Sequence, residues 1–367
     1  MRAFSLGLCI ALVLLVVANP LVGKDGNPRH AEAIQSPIPL LAHYYIWFDP
    51  SSWNRAKQDL PMLGRYSSDD TSIIRQHVIW AKQAGIKGFI VGWKRDPSLD
   101  RRLERLVQVA EAEDFKLALT YQALDFQRNP LPSEKVASDL EFFASEFGSR
   151  PPFVIFDKPL IIWSGTPRFE RNEIDSVVHG LASRLLILSS EKNVAGYQRI
   201  ADLVDGNLYY WSSADPANGR TYQTRLVEFG REVRANGGLW IAPAAPGFDA
   251  RLVGGSRVVE RKTGETLRRS VEGALNSSPD AVGLISWNEF SENTHLEPSQ
   301  NFGALYLKVI AESQNASPPS IEMDSSEQGR SGRPYGLAAL AGLAVLIIAS
   351  LCVIARRARR SRGQSLS

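Results

Sequence analysis

Residues 88–121 read GFIVGWKRDPSLDRRLERLVQVAEAEDFKLALTY. Two short, nearly continuous apolar runs, Gly88–Trp93 and Lys116–Tyr121, bracket a segment with a different period. Within it, Leu99, Leu103, Leu106 and Ala110 recur three or four residues apart, which places them on one face of a helix. Runs without polar alternation suit parallel strands covered on both faces. The stretch therefore predicts a strand, a crossover helix and a second, parallel strand.

The same scheme extends in both directions. Further runs are Leu40–Trp47, Leu160–Trp163, Leu185–Leu188, Leu203–Trp211, Leu239–Pro243 and Val282–Trp287. Between them lie helical stripes. Ile74, Val78 and Ala81 form one, stopped by Gly85; Val136, Leu140, Phe143 and Phe147 form another. Tyr222, Leu226, Phe229 and Val233 precede Gly237-Gly238, and Leu267, Val271 and Leu275 follow. Eight strand–helix units over residues 37–312 predict an α/β fold, a (β/α)8 TIM barrel, which typically takes about 250 residues. A doubly wound open sheet is the competing reading. It usually carries a Gly-rich turn after its first strand, and His43-Tyr44-Tyr45-Ile46-Trp47-Phe48 offers neither GxGxxG nor GxxxxGK[ST].

The ends differ from this body. Residues 1–23 combine Arg2, the apolar run Leu6–Ala18 and small residues, the pattern of a signal peptide. Residues 336–355 carry no charge, enough to cross about 30 Å of hydrocarbon as a single transmembrane helix. Residues 356–367 form a basic tail with five Arg, which the positive-inside rule assigns to the cytoplasm. Residues 313–335, rich in Ser, Pro and Gly, read as a flexible stalk. The barrel is thus expected on the extracytoplasmic side of the cell membrane, with the lipid bilayer as a partner.

Charge and cysteine exclude several classes. The chain has 42 Lys+Arg against 39 Asp+Glu; without Arg2 and the tail the balance is 36 to 39, so no basic face for nucleic acid is expected. The two Cys, Cys9 and Cys352, both lie in the apolar end segments, leaving the body without a disulfide, a Cys nucleophile or a Cys-ligated metal. None of the five His makes a metal spacing, so neither a metal nor a cofactor is expected. There is no GxSxG elbow for Ser189 or Ser190, and Lys94, beside Arg95 and Asp96, reads as a solvated loop charge.

In such a barrel chemistry sits at the C-terminal strand ends. Those ends collect aromatic and polar groups: His43, Tyr44, Tyr45, Trp47, Trp93, Tyr121, Trp163, Tyr209 and Tyr210. Flat rings stack on sugar C–H faces, so a polysaccharide or oligosaccharide is the expected ligand. Past the last strand, Glu289 and Glu292 stand three residues apart, and a helical turn would aim both the same way. Two carboxyls in an aromatic cleft can differ in pKa and serve as acid and base for glycosidic cleavage. Asn288 could bind a hydroxyl or orient Glu289. A solvated helix start is the plainer reading of the same two acids.

The run Ser286–Pro298, SWNEFSENTHLEP, resembles the SFNEWHEGTQIEP signature of glycoside hydrolase family 99, which comprises endo-α-mannosidases and endo-α-mannanases. Ala245-Pro246-Gly247-Phe248-Asp249 is similar to that family's PGYDD segment, and Arg261–Glu265 to its R-x-x-G-E element. His43–Phe48 resembles its YYxWY opening, and Asp205–Tyr210 its DGxYxY strand end. The resemblance spans residues 40–305. It implies a retaining, endo-acting, metal-free hydrolase that passes through a 1,2-anhydro sugar, with Glu289 as base, Glu292 as acid, Tyr209 or Tyr210 as the strand-six tyrosine, and Asp249 and His295 on the substrate. Phe290, Ser291, Asn293 and His295 depart from the signature and are expected to line the cleft. The reading is a membrane-tethered glycosidase acting on an α-linked, mannan-like glycan; the alternative is a catalytically inactive glycan-binding barrel.

Overall fold

A computed structural model of the chain describes residues 38–314. The signal peptide, the transmembrane and tail segments and all but the first two stalk residues lie outside the described residues. Among the described residues no helix is long and apolar enough to cross a membrane.

Eight parallel strands form the barrel: β1 (Leu40–Tyr45), β2 (Ile86–Trp93), β3 (Lys116–Gln122), β4 (Leu160–Ser164), β5 (Leu186–Leu188), β6 (Gly206–Asn207), β7 (Leu239–Ala244) and, after a small antiparallel pair β8 (Phe248–Asp249) and β9 (Val258–Val259), β10 (Ala281–Leu284). Their order is β5-β4-β3-β2-β1-β10-β7-β6. A bridge from Ser189 to Asn207 closes the circle, with Ser189 N–H donating to Gly206 O at 3.0 Å and Leu208 N–H to Ser189 O at 2.9 Å. Closure removes the exposed sheet edges.

Helices α1 (Thr71–Gln83), α2 (Pro97–Ala112), α3 (Ser133–Glu146), α4 (Arg171–Leu181), α5 (Val194–Gln198), α6 (Gly219–Ala235), α7 (Glu265–Leu275) and α8 (Leu305–Ser313) follow the strands. The stripe in the opening stretch is α2. Asp96 caps it, accepting from Ser98 N at 2.9 Å, and Pro97 starts it where a missing N–H costs nothing. Gly85, with φ 84, ends the turn after α1 in a backbone region that side chains disfavour.

Strand parity divides the apolar residues into two cores. Leu41, Ile90, Ala118, Leu160, Ile162, Leu188 and Ile241 fill the barrel. Leu40, Ala42, Phe89, Val91, Leu117, Leu119 and Ile161 face the helices. The expected strand at Leu203–Trp211 shrinks to Gly206–Asn207. Leu203 lies in a turn, its N–H bonded to Ile200 O at 3.0 Å, and Tyr209–Trp211 leave the sheet. An apolar run marks burial, and here much of that burial comes from a turn rather than a strand.

Candidate active site

Parity also sorts the side chains at the strand ends. On β1, His43 and Tyr45 share the inward parity of Leu41, while Tyr44 shares the outward parity of Leu40 and Ala42. Tyr210 then brings its ring edge-on to His43, centroids 4.9 Å apart. Trp47 stacks on Tyr45 at 4.1 Å. Tyr45 has room to lean over its neighbour because Gly92 lies opposite it in the β1–β2 register; a Cβ at Gly92 would stand 2.9 Å from Tyr45 Cδ1.

After β10 the ladder continues for a few residues, with Ile285 N–H donating to Ala244 O and Trp287 N–H to His43 O, both at 2.7 Å. Residues 286–298 then form an irregular loop rather than the helical turn expected from Glu289 and Glu292. It is held at many points. Ser286 Oγ accepts from Glu289 N at 2.9 Å, and Glu292 O accepts from Asp249 N at 2.8 Å. Arg261, buried against Tyr306 and Phe302, donates to Asn293 O at 3.0 Å and also to His295 O. Below the loop, Glu297 meets His77 Nε2 at 3.0 Å and accepts from Tyr66 Oη at 2.8 Å. These links fix a segment that has no regular hydrogen-bond ladder of its own.

The two carboxyls end in different surroundings. Glu289 Oε1 accepts from Ser291 N at 2.8 Å, and Lys57 stands nearby with its Nζ 3.3 Å from Ser291 Oγ. Burial raises the Glu289 pKa, and the Ser291 bonds and Lys57 oppose that rise. Glu292 has less help. Its Oε2 is buried without a hydrogen-bond partner among the described residues. Burial, and then the Glu289 charge, push its pKa up to about 7, with Arg128 in weak opposition. Both carboxyls are therefore raised, with Glu289 the better supplied in groups that stabilise its ionised form and Glu292 the poorer. Burial drives the His43 pKa down to about 3, so its imidazole is neutral, and it raises the phenols of Tyr45 and Tyr210 above their ordinary range.

His43, Tyr45, Trp47, Tyr210, Glu289 and Glu292 therefore come together at one end of the barrel. Tyr209 sits beside them, lining a separate cavity. Other expected ligands do not join them. Tyr44, Trp93, Tyr121 and Trp163 are buried in the layer between sheet and helices, a correction to the picture of a rim of aromatics. Tyr44 Oη bonds His77 Nδ1 at 3.0 Å, Trp93 Nε1 donates to Asp100 and Tyr121 Oη to Asp139. The cause is the two-residue period: a strand end carries one inward and one outward residue, and only one can face the cleft. Asn288 has both amide atoms bonded to the Tyr45 backbone. Asp249 pairs with Arg251, Nε to Oδ1 at 2.9 Å, which holds its carboxyl well below the usual range. His295 is buried between Asp59, at 3.2 Å, and the Phe290 ring, stacked at 4.1 Å.

The departures from the signature also fall differently from expectation. Phe290 lies in a buried cluster with Phe48, Trp53 and Tyr66, beneath the cleft rather than in it, and His295 is buried beside it. Asn293 has φ 53, the left-handed region that glycine occupies freely and Asn tolerates, so this replacement of the signature's Gly keeps the backbone path. Ser291 alone of the four bonds a carboxylate of the Glu289–Glu292 pair. The sequence reading missed Lys57 and Arg128, which lie in loops where a single charge gives no pattern. Among the described residues no group of three or more His, Cys, Asp or Glu could hold a metal ion.

No family model matches the chain. Among curated proteins it is similar to the glycoprotein endo-alpha-1,2-mannosidase of Mus musculus, 22% identical over 280 residues, and equally to the endo-alpha-1,2-mannosidase-like protein of Homo sapiens. These matches cover 67–68% of this chain but only 58–60% of those relatives. In fold it resembles the GH99 endo-alpha-mannosidase from Bacteroides thetaiotaomicron, with a TM-score of 0.66 at 17% identity over 75% of this chain and 96% of that one. A second structure, described as a glycoside hydrolase-like protein, gives a TM-score of 0.60 at 14% identity over 78% of this chain and 96% of that one. In sequence the chain is thus similar to curated endo-α-mannosidases, and in fold to the barrel of a GH99 endo-α-mannosidase.

Proposed function

We propose that the protein is a retaining, endo-acting glycoside hydrolase that cleaves an α-mannosidic linkage. The observation that carries this reading is the contrast between Glu289, hydrogen-bonded and facing Lys57, and Glu292, buried without a partner and raised to about 7. Glycosidic cleavage needs that division between an ionised and a protonated carboxyl. The names of the curated relatives, together with the resemblance of Ser286–Pro298 to the family signature, support the linkage class.

The proposed cycle has two steps. Glu289 takes the proton of the substrate 2-hydroxyl as that oxygen attacks C1; the C1–O bond to the leaving sugar breaks, and Glu292 protonates the departing oxygen. Water then gives a proton to Glu292 and attacks C1 of the 1,2-anhydro sugar; the C1–O2 bond opens and O2 recovers its proton from Glu289. Two inversions give retention. Neutral His43 and the phenols of Tyr45 and Tyr210 line the cleft and can hydrogen-bond sugar hydroxyls without adding charge, while Trp47 offers a face for a ring.

The cellular setting in this reading is a membrane tether. Residues 336–355 would anchor the barrel on the extracytoplasmic side, reached through the stalk. Incubation of the full-length protein with α-mannans and α-glucans, with released reducing ends measured and the first-formed anomer followed by NMR, tests the activity. The α-anomer from an α-mannan, lost in Glu289→Gln and Glu292→Gln, is the expected result. Binding without release by the native protein would instead identify a glycan-binding barrel.

A further inference from the structure

Next along the chain from Tyr210 of the cleft, Tyr209 lines a cavity of about 330 Å³, within the range of small-molecule sites, roughly 300–1,000 Å³. Tyr209, Trp211, Lys192, Arg225 and Glu228 are among its lining residues. It adjoins the cleft through one peptide link, since Tyr210 packs on His43 and Tyr209 lines the cavity. The Arg225 guanidinium lies over the Trp211 ring, 4.3 Å from its centroid. That stacking orients the planar group and leaves its N–H edge available for a bidentate acceptor.

The charges around this cavity are unbalanced. Arg225 and Lys192 face a single carboxylate, Glu228. Arg128, on the loop after β3, adds positive charge that reaches both Glu292 and Tyr209. Among the described residues Arg128, Lys192 and Arg225 form no ion pair, although most Arg on the barrel surface do.

We propose that this cavity is a subsite for an anionic sugar substituent, so that the preferred glycan is an acidic α-linked one carrying a carboxylate, phosphate or sulfate near the cleaved bond. Arg225 supplies the bidentate contact, with Lys192 and the more distant Arg128 adding positive charge. Tyr209 and Trp211 supply rings for the sugar that bears the group. The substrate class rests on the hydrolase reading above, but the site itself does not.

The test measures binding and cleavage separately on the full-length protein. Calorimetric titration compares a neutral α-mannan oligosaccharide with its phosphorylated, sulfated and uronate-bearing counterparts, at low and high salt. Charge-assisted hydrogen bonds of the usual strength give about a tenfold or greater preference for an acidic arm, weakened by salt. Arg225→Gln and Arg128→Gln should each reduce the ratio of acidic to neutral affinity at least threefold, and the strongest arm identifies the anion. Equal affinity for neutral and acidic glycans, or a preference untouched by both variants, overturns the proposal. Charge-dependent binding without cleavage would overturn the hydrolase reading and leave the subsite standing; cleavage without charge preference would do the reverse.

Discussion

Asn288 closes its amide on the backbone of Tyr45, accepting from Tyr45 N at 2.8 Å and donating to Tyr45 O at 2.9 Å. The pair is 243 residues apart in sequence. A side chain thereby takes the place of the next β-ladder step between β10 and β1, and it ties the residue before Glu289 to an aromatic residue of the cleft. Asn288→Asp keeps the shape but sets a carboxylate oxygen against the Tyr45 carbonyl. A buried acceptor left without a donor costs about 1–3 kcal/mol. Thermal unfolding should show a melting temperature several degrees lower, together with a marked loss of cleavage.

Glu292 links pH to stability as well as to catalysis. Its folded pKa of about 7 lies above the ordinary carboxyl value, so the folded chain holds a proton that the unfolded chain has released. Its contribution to stability is therefore fully present below about pH 4.5 and is lost as pH rises to about 7. Glu292→Gln should remove that decline and stabilise the protein at pH 8 by about 3 kcal/mol, each unit of the rise from 4.5 to about 7 being worth about 1.4 kcal/mol. Denaturant unfolding at pH 5 and pH 8 measures the difference.

The same value sets the pH profile of the reaction. With Glu292 as the acid, kcat/KM should fall above about pH 7. Arg128 favours the ionised form of Glu292, so Arg128→Gln should move this alkaline limb to higher pH. An unmoved limb would separate Arg128 from Glu292.

Asn293 and its φ of 53 give a sharp backbone test. Asn293→Gly should change stability by less than about 1 kcal/mol. Asn293→Val places a β-branched residue in the left-handed region and should cost about 1–2 kcal/mol or more. Chemical denaturation of the two variants checks the difference.

Strand parity predicts which aromatics matter for substrate. Trp163, buried between sheet and helices, should affect stability when changed to Phe, with KM unaltered. Trp47→Ala, at the cleft, should raise KM with a smaller change in melting temperature.

The barrel was legible because its signals are local. Apolar runs and helical stripes such as Leu99, Leu103, Leu106 and Ala110 need no partner to be recognised, and the segment after β10 keeps both glutamates of its motif. The site was legible by position but not by direction. Being near a strand end groups Tyr44 with Tyr45, and Trp93 and Trp163 with both, whereas the pleat separates them. An alternation anchored on Leu41 and His43 would have sorted them. Contacts such as Asn288 with Tyr45, Arg261 with Asn293 and Lys57 with Ser291 join segments far apart in sequence, and they leave no periodic trace.

The most direct test of the proposed division between Glu289 and Glu292 uses an α-mannobiosyl fluoride, whose leaving group needs no acid. Fluoride release in the first turnover isolates the step in which Glu289 acts alone. The account predicts that Glu292→Gln keeps this release close to the native rate while Glu289→Gln abolishes it. Loss of release in Glu292→Gln as complete as in Glu289→Gln, or native release in both, would contradict the assignment of base to Glu289 and acid to Glu292.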